Sequence, residues 1–268
     1  MEKKILYLLT CVGLCWSSCT NEVDEFIGNV EPSTRSVSTA LNANLASLFT
    51  GGAPTLTSAE IKEVNDAYAK MTSINCYRNI DEAVRNKTSY AGTIFLDDTY
   101  ASAYFRKGSL AFPPYGILAS SMEHEFIHMY QRDVQGKKVD TDKEKRDTGM
   151  MEFELAFYQG IIRYIHAGYS WTFKGEDGDP SYQSLWTSGL TDPSLIPQYE
   201  REFQTYVASI CANGKPTSID INEFVKWSNI FGEYSRGYSG KGYKFGNYDY
   251  GTSCINSLPV SYTHLTLP

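Results

Sequence analysis

The chain has 268 residues, 24 of them basic and 31 acidic, for a net charge of −7. Hydrophobic residues make up 42 % and charged residues 21 %, a globular balance that excludes disordered and fibrous classes. The acidic balance leaves no basic footprint, so nucleic acid is not expected as a partner.

The N-terminus reads Met1-Glu2-Lys3-Lys4, then an apolar run from Ile5 to Trp16, then Ser17-Ser18-Cys19. A basic start, a short apolar stretch and small residues form a secretory signal. The apolar run, about 12 residues, is too short for a permanent membrane span. The cysteine directly behind two small residues resembles the lipobox of bacterial lipoproteins. That resemblance implies a signal peptide over 1–18, lipidation of Cys19, and anchoring at the outer membrane, facing the periplasm or the cell surface. The other mature cysteines, Cys76, Cys211 and Cys254, match no zinc-ribbon spacing and allow at most one disulfide.

Residues 19–55 are polar and rich in small side chains, which reads as a flexible tether. A domain is expected over 56–258. Its first helix is expected at about 57–72, with Thr57 and Glu60 as a capping box and Ile61, Val64, Tyr68 and Met71 on one stripe. Residues 92–97 and 101–106 read as two strands around an Asp97-Asp98 turn. Pro113-Pro114 breaks the chain ahead of a helix at about 117–133. The charged stretch from Lys137 to Asp147 reads as a solvated loop. A helix is expected at 149–167, an irregular connection at 173–193, and helices at 198–212 and 220–231, closed by Gly214 and Gly232. The tail 232–251 is rich in glycine and tyrosine. Residues 259–268 resemble a translated adaptor fragment and read as a non-native tail, so His264 is set aside. The fold class expected is α+β, mainly helical, with a small antiparallel sheet ahead of the 117–133 helix.

Within that helix stands His124-Glu125-Phe126-Ile127-His128, which holds two of the chain's 4 histidines. Histidines four apart on a helix project about 40° from one another, so both rings can reach one metal ion. The glutamate between them can hold a water without ligating the metal. Ala119, Met122, Phe126 and Met129 form a core-facing stripe, while Ile117, Ser121, His124, His128 and Gln131 form a stripe that can face a cleft.

These residues resemble the zincin metallopeptidases. Residues 129–134 carry no third histidine after a glycine, which sets the metzincin branch aside. The gluzincin branch implies a glutamate on the next helix. Glu152 and Glu154 stand there about 200° apart, so they cannot share a face. Glu154 aligns with Met150, Phe157, Tyr158 and Ile161 on the inward stripe, where an unpaired carboxylate is costly and a metal would be its partner. Glu154 is therefore the expected third ligand. Glu152 and a salt bridge from Glu154 to a buried Lys or Arg stand as alternatives. His166, roughly 18 Å further along the helix, reads as an ordinary surface histidine.

The resemblance implies Zn²⁺ held by His124, His128 and Glu154, with Glu125 as general base. Gln131, seven residues after His124, is a candidate to orient a ligand from behind. The function expected is a lipid-anchored zinc peptidase acting on peptide or protein substrates. The alternative is a non-catalytic surface lipoprotein that binds peptide or glycan through its tyrosine-rich tail.

Overall fold

The structure is a computed structural model, which describes residues 40–137, 145–166, 190–211, 219–235 and 238–246. The signal segment, Cys19 and the 259–268 tail lie outside the described residues. So do Gly214 and most of the 173–193 connection. The chain divides into two compact units between Val134 and Gln135, where the sequence suggested one domain.

The first unit begins earlier than the tether reading places it. Helix α1 (Ala43–Leu48) is capped by the Asn42 side chain, and Leu45, Leu48 and Phe49 are buried. These three apolar residues recur at helical spacing inside an otherwise polar stretch, so composition averaged over 19–55 hides them. Helix α2 (Ser58–Ser73) starts at the expected capping box: Glu60 N–H reaches Thr57 Oγ1, and the Thr57 backbone N–H donates to Glu60. Its buried stripe is Val64, Ala67, Tyr68 and Met71.

Helix α3 (Asn75–Lys87) was not anticipated, although Cys76, Tyr77, Ile80 and Val84 keep a helical period. It buries Asp81, whose carboxylate accepts from Tyr68 of α2 at 2.9 Å and from Arg85. A buried charge satisfied in this way ties the two helices together.

The sheet differs from expectation. Strands β1 (Ile94–Leu96) and β2 (Tyr104–Arg106) do not pair with each other. A third strand, β3 (Ser109–Phe112), lies between them, parallel to β1 and antiparallel to β2. The sheet is therefore mixed. Its β2–β3 turn is Lys107-Gly108, with φ of 52° and 79°. Two successive positive φ values match the hairpin turn that suits strand twist. Gly92 is required by close approach, since a Cβ there would lie 2.2 Å from the Gly108 carbonyl oxygen.

Helix α4 (Ala119–Met129) follows the sheet, as expected, and runs directly into a π-helical turn, Tyr130–Val134. Met122, Phe126, Ile127 and Met129 are fully buried among α2 and α3. The whole is α+β and mainly helical.

The second unit holds α5 (Lys145–His166), α6 (Ile196–Ile210) and α7 (Ile221–Tyr234). Its core is aromatic: Phe153 and Phe157 of α5 meet Phe224 of α7 at 5.0 and 5.3 Å, and Phe157 stacks on Tyr206 of α6. Cys76 and Cys211 are buried cysteines. Among the described residues, no helix is long and apolar enough to cross a membrane.

Candidate metal centre

Helix α4 is buried along most of its length, but His124 and His128 remain partly open. Their rings meet edge-on with centroids 4.7 Å apart, and their Nε2 atoms lie 3.1 Å from each other. Two nitrogens bound at ~2.0–2.1 Å around a tetrahedral zinc lie about 3.3 Å apart. The i,i+4 spacing thus already brings the two nitrogens to the separation that a shared ion requires.

The other nitrogen of His128 is spoken for. Nδ1 lies 2.9 Å from Oε1 of Gln131, which is completely buried in the π turn. An amide oxygen can only accept, so this contact puts the proton on Nδ1 and leaves the Nε2 lone pair for a cation. Gln131, the candidate from spacing to orient a ligand, meets the His128 nitrogen that is turned away from His124.

Glu125 is 5 % exposed, and its Oε1 lies 3.9 Å from His124 Nε2. The carboxylate thus lies beside the paired nitrogens, farther from His124 than a hydrogen bond reaches.

Glu154 occupies a different setting from the one expected. It is fully buried, as its stripe predicted, but its carboxylate is ion-paired with Lys137. Tyr158 donates to the same oxygen at 2.6 Å, and Gln135 Nε2 donates to the Tyr158 hydroxyl at 3.0 Å. The carboxylate on the inward stripe is thus paired with a part-buried lysine, the salt-bridge alternative left open by the sequence. Lys137 was read as part of a solvated loop. Charge patterning cannot reveal that one lysine at the edge of such a stretch turns inward.

Glu152, on the wetter stripe of α5, is partly buried. Two neutral imidazoles and one carboxylate suit a borderline-soft divalent cation. With Glu154 paired to Lys137, Glu152, ranked second from the sequence, becomes the candidate for a carboxylate ligand. His166 is exposed at the end of α5, as expected.

Arg132 and Asp133, beyond Gln131, were not singled out in the sequence. They form a salt bridge and meet Tyr90 and Phe105. No family model matches this chain, and comparison with curated proteins and with solved structures gives no match.

Proposed function

We propose that the chain is a zinc-dependent peptide-bond hydrolase, with His124, His128 and Glu152 as metal ligands and Glu125 as general base. The observation that carries this reading is the His124–His128 pair, whose Nε2 atoms lie 3.1 Å apart beside the buried Glu125. Zinc, when bound, would supply Lewis acidity that polarises a carbonyl and acidifies water. The work of the protein is to place groups around it. Gln131 holds the His128 proton on the far nitrogen. Glu125 accepts a proton from water and passes it to the departing amine. Lys137 pairs with the buried Glu154, so that carboxylate is already neutralised. The lipid anchor at Cys19 belongs to the same reading and would hold the enzyme at a membrane surface.

The binding-lipoprotein alternative leans on the aromatic tail. There, Tyr238 packs on Phe231 at 5.0 Å, and Phe245 sits 5.8 Å from the same ring. These rings are engaged within the fold, which favours the hydrolase. The test is Glu125→Gln, assayed on a mixed peptide library. The variant is expected to keep its metal and lose hydrolysis by roughly 10²–10⁴-fold, the usual share of a general base. Unchanged hydrolysis would remove Glu125 from the chemistry.

A further inference from the structure

We infer that Tyr90, Phe105, Arg132 and Asp133 form a clasp on the π turn that sets Gln131 against His128, making them positioning residues for the metal centre. The functional meaning of this inference rests on the hydrolase reading. The geometry lies within the first unit alone.

The two residues after Gln131 are held from several directions. Arg132 donates to Asp133 through Nε at 2.9 Å and through a terminal nitrogen at 2.6 Å. Its guanidinium lies 4.4 Å from the centroid of the Phe105 ring and 5.3 Å from that of Tyr90. The Tyr90 hydroxyl donates to the same Asp133 carboxylate. Burial, with the neighbouring Asp133 charge, holds that hydroxyl far above its ordinary pKa, so it remains a donor.

Tyr90 is itself fixed. Its backbone N–H donates to Leu48 O at 2.6 Å, and its carbonyl accepts from Thr50 N–H at 2.8 Å. Its ring packs on Phe49 at 5.4 Å and on Phe105 at 4.8 Å. The segment after α1 and strand β2 thus grip the turn from outside the helix.

A π turn carries one more residue per turn than the α-helix and is rare without external support. Relaxation to α register would rotate Gln131 about the helix axis and draw its amide oxygen away from Nδ1. The clasp opposes that relaxation at the two positions adjoining Gln131. A part-buried salt bridge with two aromatic faces is more than a helix end needs, and its location beside Gln131 gives it a use.

The test reads the His128 tautomer directly. Nitrogen-detected histidine NMR on the metal-free protein, in mildly alkaline buffer, assigns the proton to Nδ1 or Nε2. Wild type is expected to show His128 with the proton on Nδ1. Asp133→Asn and Tyr90→Phe are expected to shift that ring toward the Nε2–H form or a mixture. Zinc affinity, measured by chelator competition, should fall with them, on the order of tenfold for Asp133→Asn. Should Asp133→Asn fail to fold, Tyr90→Phe, which removes a single hydroxyl, decides alone. A folded variant with lower thermal stability but an unchanged tautomer and unchanged zinc affinity would overturn the inference. Wild type that binds no zinc, yet shows the Nδ1–H tautomer lost in the variants, would support the clasp and sink the hydrolase.

Discussion

His128 Nδ1 and Gln131 Oε1 stand 2.9 Å apart, with the glutamine wholly buried. This bond decides which nitrogen of His128 faces the site. Gln131→Leu removes the acceptor while keeping much of the volume. Zinc affinity is expected to drop by roughly 10–100-fold, the usual loss when an outer partner of a ligating histidine is removed. A competition titration against a chromogenic chelator checks it, with Gln131→Glu as the companion that keeps an acceptor.

Lys137 and Glu154 form a buried pair, with 11 % and 0 % of their side chains exposed. Breaking such a pair by removing one partner leaves a charge stranded in low dielectric. Lys137→Ala should therefore destabilise the protein by roughly 3–5 kcal/mol, read from urea unfolding. Glu154→Gln, which keeps an acceptor for Tyr158, should cost less than Lys137→Ala. Equal stability of Lys137→Ala and wild type would show that the pair is solvated in solution.

Glu200 on α6 gives a pH-dependent prediction. Burial raises its carboxyl above the ordinary 4.5, with Gln204 opposing. A raised folded-state value means that the native state favours the proton. Stability from this group is thus full below the ordinary carboxylate range and falls as pH rises through the folded value. Glu200→Gln should accordingly melt about a degree or two higher than wild type at neutral pH. The difference should vanish in acid, below the ordinary carboxylate value. Melting curves across pH test this, and a variant that gains nothing at neutral pH contradicts it.

What the sequence disclosed follows from the range of each interaction. The capping box at Thr57 and the Val64, Tyr68 and Met71 part of the α2 stripe are local patterns that stand as expected, although Ala67 is buried where Ile61 is only partly so, and the two motif histidines share one helix face. The sheet was misread because pairing is non-local. A turn at Asp97-Asp98 looks like a hairpin, yet the true hairpin turn is Lys107-Gly108, and β3 takes the central place. Gly232 looked like a helix terminator, but α7 continues through it to Tyr234. A Cβ at that position would lie 2.1 Å from Phe245, so the glycine serves packing rather than helix capping. The inward direction of Glu154 was legible from its stripe, but the identity of its partner was not. Lys137 lies 17 residues away, and no periodicity reports a contact at that separation.

The account turns on a cation held by His124, His128 and Glu152, and metal content tests it most directly. Purified protein is to be reconstituted with zinc, dialysed and measured by elemental analysis, beside Glu152→Ala and Glu154→Gln. A single zinc per chain is expected in wild type and Glu154→Gln, with the metal lost in Glu152→Ala. Wild type that holds no zinc after reconstitution, or a Glu152→Ala variant that retains it fully, would contradict the account.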